Sequence, residues 1–288
     1  MLVKAPAKIN LTLRVLSKRA DGYHEISSLM RAIDLYDEAF IDAREGGSGS
    51  APPVLHISSD MAGVPEGRGN IAYRAAEFML ARFPGRLSRV DIKINKRIPV
   101  AAGLAGGSAD AAAVLLYLAK TLAPEAGLAV ISEWGAELGS DVPFCLYACA
   151  AANPGLGYEG AGTALAEGVG EHITPVRSRE KARVVLVKPQ VEIPTKQVYE
   201  LYDEWENKDG FSDNDLEEPC SQAWPVVAET LRTMKQICGV PNVKVQLSGS
   251  GPSVFAFFEG GASGEAERLY IKAKKVFEGF FVYLAEAL

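Results

Sequence analysis

The sequence predicts a two-domain α+β protein, and three features carry that reading. At 288 residues the chain suits two domains, each large enough to bury its own core. Segments with strand alternation and segments with helical spacing interleave along it. They lack the strict strand–helix–strand rhythm of a parallel sheet, which leaves an α+β or mixed α/β arrangement. A Gly- and Ala-rich stretch from Ala148 to Gly170 interrupts the patterning and is the best boundary, dividing residues 1–160 from residues 161–288.

Leu2 to Leu16 alternates enough to read as a strand, interrupted by Pro6, and Ala32 to Ala43 and Val54 to Ile57 follow as strands. Glu45 to Ser50, almost all Gly and Ser, reads as a flexible hairpin tip or loop. From Asn70 to Phe83, Ala72, Ala75, Ala76, Met79 and Leu80 recur on one helical face. Val90 to Ile94 is a strand, Ser108 to about Lys120 a helix, and Ala129 to Leu138 a shorter helix. Beyond the boundary, strands are expected at Arg183–Val187, Val243–Leu247 and Val254–Phe258, with helices at Thr195–Trp205, Trp224–Ile237 and Glu265–Val276. No internal repeat is visible.

Composition excludes several function classes. Apolar content of 48% and charged content of 23% describe an ordinary soluble protein. A net charge of −6 argues against nucleic acid or an anionic membrane as partner, since both need a basic field. The four cysteines form no CxxC pair and the three histidines are scattered, which speaks against a zinc site or a disulfide framework and fits a reducing compartment. The longest apolar stretch, Val142 to Ala152, is too short to span a bilayer. Functional-looking sequence begins directly after Met1, so a cytoplasmic location is expected.

The most informative stretch runs from Ile98 to Ala111, IPVAAGLAGGSADA. It joins an expected strand to an expected helix through little but Gly and Ala, so nothing bulky keeps a ligand from the backbone. Glycine reaches positive φ at little cost, which lets successive N–H groups converge on one point. The helix behind adds unpaired N–H donors and the positive end of its dipole. Such a loop is an anion site, with phosphate the usual anion; the alternative is a tight turn where helix and sheet pack closely. It is not the G-x-x-x-x-G-K-[ST] loop, because no Gly-Lys pair occurs in the chain. The G-x-G-x-x-G match at Gly155–Gly160 follows an Asn153-Pro154 turn where a dinucleotide fold needs a strand, and it reads as a chance match.

Three other segments complete the chemistry. Lys4-Ala5-Pro6-Ala7-Lys8-Ile9-Asn10 sets a Lys and an Asn in an apolar strand, where a lone Lys ordinarily ends in solvent. Gly139-Ser140-Asp141-Val142-Pro143-Phe144 places a carboxylate in a turn, a position that by itself is more often structural. Leu247-Ser248-Gly249-Ser250-Gly251-Pro252-Ser253 is a second small-residue loop, either a hairpin or a second wall of a phosphate cleft. A phosphate loop, an isolated Lys and a turn Asp are the parts of phosphoryl transfer: a cradle, a cation, and a carboxylate to orient or deprotonate the attacking hydroxyl.

The order Pro-Ala-Lys-Ile-Asn, Pro-x-x-x-Gly-Leu-x-Gly-Gly-Ser and Ser-Gly-Ser-Gly-Pro resembles the three motifs of the GHMP kinases, the superfamily of galactokinase, homoserine kinase and mevalonate kinase. Lys4 to Leu13 (KAPAKINLTL), Asp21-Gly22-Tyr23-His24-Glu25, Asn214-Asp215-Leu216-Glu217 and the Gly139–Phe144 segment are similar to the branch acting on a cytidyl diphosphate sugar alcohol. The match runs through nearly the whole chain. It implies an N-terminal domain like ribosomal protein S5 domain 2, a ferredoxin-like C-terminal domain, and an active site in the cleft between them. ATP and Mg²⁺ are the implied cofactors, and a monomer or weak homodimer the implied state.

Position by position, the resemblance makes Asp141 the catalytic base and Lys8 the lysine that keeps it ionised and offsets charge on the transferring phosphoryl group. Pro99, Val100, Ala101, Ala102, Gly103, Leu104, Ala105, Gly106, Gly107, Ser108 and Ala109 correspond to the ATP phosphate loop, with Ser108 as the candidate Mg²⁺ ligand. Lys96 and Asn70 correspond to positions lining the nucleotide site. Tyr23, His24 and Tyr199 correspond to the cytosine pocket, with Asn10 and Thr195 near that substrate's polar groups. Taken singly, the three ring residues read equally well as packing or turn residues.

The chain departs from the family pattern in two places. Ala101, Ala102 and Ala105 stand where glycines are common, and Ala109 where Ser is frequent; binding should survive provided that Ala102 and Ala105 do not need positive φ. About a dozen extra residues, Ala148 to Gly160, follow Tyr147. The rival readings are a kinase of a small alcohol such as homoserine or mevalonate, a nucleotide sensor without turnover, and a dinucleotide oxidoreductase. The Tyr23-His24 pair with Asn214–Leu216 opposes the first, the joint presence of Lys8 and Asp141 the second, and the turn before Gly155 the third.

Overall fold

The computed structural model describes residues 1–46, 52–178, 181–206, 212–241, 243–260 and 263–288. The loop expected at Glu45–Ser50 lies, from Gly47 on, outside the described residues. In chain order the elements are β1 (Leu2–Asn10), β2 (Arg14–Lys18), β3 (His24–Glu45), β4 (Val54–Ser59), α1 (Ile71–Arg82), β5 (Leu87–Asn95), α2 (Gly106–Leu122), α3 (Leu128–Ala136) and α4 (Val142–Ala152). They continue with β6 (Thr163–Gly168), β7 (His172–Pro175), β8 (Ala182–Lys188), α5 (Thr195–Asp203), α6 (Glu217–Ala223), α7 (Pro225–Cys238), β9 (Lys244–Leu247), β10 (Val254–Glu259), α8 (Ser263–Val276) and β11 (Phe281–Glu286).

The 22-residue β3 is the spine of a seven-stranded sheet and pairs antiparallel with β1, β2, β5 and β6. Parallel β4 and β5 are joined through α1. The Ala-rich α2 is buried on nearly every face, since small side chains let it approach α1, α4 and the sheet closely. Four strands form the second sheet in the order β11-β8-β10-β9. Among the described residues, helices fall only between β8 and β9 and between β10 and β11, which is the ferredoxin-like βαββαβ arrangement.

Period-2 alternation sorts this second sheet into two faces. Val185, Val187, Val254, Ala256 and Phe258 pack with α5, α6, α7 and α8 residues in one core. Val184, Leu186, Phe255 and Phe257 form another core with Ala7, Ile9, Ile33, Leu35, Ile98, Ala102 and Leu104. That second core joins the two sheets face to face. Pro6 does not end β1; the register instead shifts between Pro6 and Ala7. Val3 and Ala5 pack under the helices of the first sheet while Ala7 and Ile9 pack against the second, so the bulge accompanies a change of face.

The stretch from Ala148 to Gly170, read as a connection, instead holds the end of α4, a 3₁₀ turn at Pro154–Leu156 and all of β6. Because β6 pairs with β3 and β7 with β6, the change of sheet falls between Pro175 and Ala182 rather than at residue 160. Helix α4 carries no amphipathic pattern because eight of its eleven residues are buried. The Gly155–Gly160 dinucleotide match begins in this 3₁₀ turn and runs on outside regular structure, with no strand leading in.

Candidate active site

Between the two sheets lies a cavity of about 1070 Å³ lined from both halves. Past the bulge in β1, Lys8 and Asn10 reach it. Lys8 is only 4% exposed; its Nζ donates to Asn10 Oδ1 at 2.7 Å and stands 3.7 Å from Asp141 Oδ2. Asn10 in turn donates to Ser28 Oγ at 2.8 Å, and that hydroxyl donates to the Thr12 carbonyl. The Lys8 ammonium is thereby aimed rather than free, unlike a strand lysine that snorkels to solvent. Asp141 stands at the N-terminal boundary of α4 without a side-chain capping hydrogen bond, its side chain one-third exposed, so it keeps access to a ligand while an ammonium faces it.

Loop Pro99–Gly107 forms one wall of the cavity. Its backbone alternates through left-handed conformations at Ala101 (φ 50°), Gly103 (φ 72°) and Ala105 (φ 57°). Of the two alanines required not to need positive φ, Ala102 does not and Ala105 does; Ala101 also does. None of the N–H groups from Gly103 to Ser108 has a hydrogen-bond partner among the described residues. A row of unpaired donors at the start of a 17-residue helix is an anion cradle. The loop is held from behind: Lys8 N–H donates to the Leu104 carbonyl at 3.1 Å, and Ser248 Oγ to the Gly103 carbonyl at 3.1 Å. A Cβ on Gly103 would sit 2.4 Å from the Ser248 carbonyl oxygen, so only glycine permits this close approach. The second small-residue loop is therefore a cleft wall, with Gly249 and Ser250 in the lining.

Lys96 lies under this wall, only 7% exposed, and is held by two carboxylates. Its Nζ contacts Asp37 and donates to Asp110 Oδ2 at 2.7 Å, while Asp37 Oδ1 accepts from the backbone N–H of Arg97 and Ile98. Burial pushes the Asp110 carboxyl up to about 8, with Lys96 opposing. Burial works to lower the Lys96 ammonium, and the two carboxylates outweigh it and raise it. Asp110 Oδ1 is buried without a partner among the described residues. Neither Asp37 nor Asp110 stood out from the sequence as a site residue; the signal available was a carboxylate at a strand position facing inward and one in a helix of Ala and Leu.

The opposite end of the cavity is aromatic. His24 and Tyr199 stack with ring centroids 4.8 Å apart at 23°. His24 Nε2 pairs with Asp203 Oδ1 at 2.7 Å, and Lys18 Nζ reaches the other oxygen of the same carboxylate at 2.6 Å. Burial pushes the Tyr199 phenol far above its usual range, and Asp141 adds to the effect. Tyr23 is 65% exposed and stands at the rim, and Thr195 Oγ1 lies 3.0 Å from Ser250 Oγ.

The cavity thus gathers Lys8, Asn10, Tyr23, His24, Asn70, Lys96, Pro99 to Gly107, Asp141, Thr195 and Tyr199. Two expected residues stay out of the lining. Ala109 is fully buried in the first core, and Ser108, at the third position of α2, is half-buried beside the cavity rather than in it. Asn70 lines the cavity but commits its amide to capping α1, accepting from Ala72 N–H and donating to the Pro65 carbonyl. The extra segment after Tyr147 is part of the first core: Leu156 is buried there, and Asn153 exchanges hydrogen bonds with both backbone groups of Lys4.

Comparison with known proteins gives the family. The family described as GHMP kinases N terminal domain matches residues 70–149. A 4-diphosphocytidyl-2-C-methyl-D-erythritol kinase of Acetivibrio thermocellus is 40% identical over 276 residues, 89% of each chain. One of the same name from Geobacter sulfurreducens is 36% identical over 90% of each. A crystal structure of 4-(cytidine 5'-diphospho)-2C-methyl-D-erythritol kinase superposes with a TM-score of 0.74 at 30% identity, covering 100% of this chain and 99% of that one. The mevalonate kinase of Methanococcus jannaschii, at 11% identity and a TM-score of 0.67, shares the fold. With motif order, fold topology and this level of identity in agreement, the chain belongs to the GHMP kinases, in the 4-diphosphocytidyl-2-C-methyl-D-erythritol kinase family.

Proposed function

We propose that this chain transfers the γ-phosphate of ATP to a hydroxyl of 4-diphosphocytidyl-2-C-methyl-D-erythritol, in the methylerythritol phosphate route to isoprenoids. The observation that carries the reading is the Lys8–Asp141 pair, 3.7 Å apart, set in one cavity between an anion cradle and an aromatic stack. The unpaired N–H groups of Gly103 to Ser108 receive the ATP phosphates. Asp141 accepts the proton of the attacking hydroxyl, and Lys8 faces that carboxylate and offsets charge gathering on the phosphoryl oxygens. At the far end, His24 and Tyr199 supply a flat wall for the cytosine ring with Tyr23 at the rim, while Asn10 and Thr195 lie near the substrate's polar groups.

Mg²⁺ is the usual companion of ATP in phosphoryl transfer. A Mg²⁺ carried on the ATP phosphates takes one or two protein oxygens and otherwise phosphate and water, so it needs no cluster of three His, Cys, Asp or Glu side chains, and none gathers among the described residues. Ser108, at the third position of α2 beside the cavity, would supply such an oxygen, and the ion would offset charge on the phosphoryl oxygens. No helix among the described residues is long and apolar enough to cross a membrane.

ATP consumption measured against a panel of alcohols tests the reading. Turnover should require the cytidyl-linked sugar alcohol, and equal turnover with homoserine or mevalonate would overturn it. Tyr199→Ala should weaken the cytidyl substrate by about 1–3 kcal/mol and leave KM for ATP unchanged. Equal losses for both substrates would make Tyr199 a packing residue.

A further inference from the structure

The segment Asn214-Asp215-Leu216-Glu217 is one of those on which the resemblance rests, yet none of its residues lines the cavity. Asn214 is 1% exposed and places its side chain among backbone groups. Its Nδ2 donates to the carbonyls of Leu247 at 3.0 Å and Gly249 at 2.8 Å, and its Oδ1 accepts from Leu216 N–H at 3.0 Å. Glu217 Oε2 accepts from Leu247 N–H at 2.8 Å. The other edge of the segment grips the first half of the chain. Leu13 N–H donates to the Asp213 carbonyl, Asp215 N–H donates to the Leu13 carbonyl, and the Asp215 carboxylate takes Arg14 Nη1 and Val15 N–H, each at 2.8 Å.

What this segment holds is the loop beside the reacting groups. Gly249, at φ +58°, is so near that a Cβ would lie 3.2 Å from Asn10 Oδ1 and 3.4 Å from Lys8 Nζ. A shift of this loop by an ångström is a shift of the wall against which the Lys8 ammonium rests, and misplacement on that scale is expensive in rate. We infer that Asn214 is a positioning residue for phosphoryl transfer, acting by clamping the Leu247–Gly249 backbone against Lys8 and Asn10 rather than by contacting the cytidyl substrate. The inference rests on the reading of Lys8 as a catalytic residue.

Asn214→Asp tests it, since the variant keeps size and the acceptor for Leu216 N–H but turns a carboxylate oxygen toward two carbonyls. The clamp requires kcat to fall about tenfold or more, with KM for ATP and for the cytidyl alcohol each within about threefold of wild type. Gly249→Ala, which pushes on the same contact from the other side, should reproduce that split and keeps the question open to test if Asn214→Asp fails to fold. A rise in KM for the cytidyl alcohol at unchanged kcat would overturn the inference and return Asn214 to the substrate pocket. Normal kcat in either folded variant would overturn it too. Wild-type turnover on the substrate panel judges the kinase reading separately, so the two cannot fail under the same result.

Discussion

A 4%-exposed lysine faces a carboxylate that retains access to the cavity, the arrangement that the proposed chemistry at Asp141 requires. The buried Lys8 ammonium keeps Asn10 Oδ1 as an acceptor, and an Asn at 141 still turns a carbonyl oxygen toward it, so Asp141→Asn should keep the fold. It removes the proposed base while keeping size, and turnover should fall about 10²-fold or more with ATP still bound. Near-normal turnover with ATP and the cytidyl alcohol would reassign Asp141 to a structural turn role. The buried Lys96 cluster behaves differently. Asp110 is held up to about 8 by burial, so between the ordinary carboxylate range and that value the folded chain binds a proton that the unfolded chain releases. Its contribution to stability is present at low pH and is lost as pH rises through about 8. Asp110→Asn does not titrate, so the variant should gain on wild type between pH 5 and pH 9. Urea unfolding at both pH values reads the difference; an unchanging gap would mean that Asp110 is ionised throughout.

Among the elements, the phosphate loop is the one that works against its own residues. Ala101 and Ala105 sit at positive φ, where an L residue with a Cβ is disfavoured by about 1–2 kcal/mol. Ala105 directly precedes α2, so it sets the angle at which the unpaired N–H groups enter the helix. Glycine there removes the strain but loses more chain entropy on folding, and Ala105→Gly should stabilise the fold by about 0.5–1 kcal/mol. Denaturant midpoints at constant m-value measure this, and a destabilised variant would show that the alanine methyl contributes packing that outweighs its strain.

At the scale of the whole molecule, the site exists only because two sheets meet. Phe255 and Phe257 from the second sheet close against Ile9, Ile33 and Leu35 of the first, and the chain's last residues return to the first sheet, where Leu288 N–H donates to the Ala32 carbonyl. Phe255 is fully buried in this joint core. Phe255→Ala should cost about 3–5 kcal/mol and reduce turnover with it, because the cavity walls lose their common support. Denaturation followed by activity and by circular dichroism would check this; full activity at reduced stability would show that the joint core does not set the cavity.

The sequence by itself determined the cradle, the helix behind it, and the strands and helices whose apolar residues recur at a period of 2 or 3.6. Those signals are local, written in neighbouring residues, and Ile71–Arg82 or Val254–Glu259 lie close to where the spacing places them. It was silent on α4, whose helix is buried on most sides and so has no polar face to give it a period. It misplaced the sheet boundary because composition at Ala148–Gly170 says nothing of β6 pairing with β3. Only the tertiary structure decided which polar residues act together. Lys8 and Asp141 are far apart in sequence, as are Asn214 and Gly249, and Lys96 with Asp37 and Asp110. Each looks alone like a solvent-facing or turn residue. Their roles come from distances of a few ångströms across a cleft, and such distances are set by the packing of both sheets on one core, which no stretch of sequence contains.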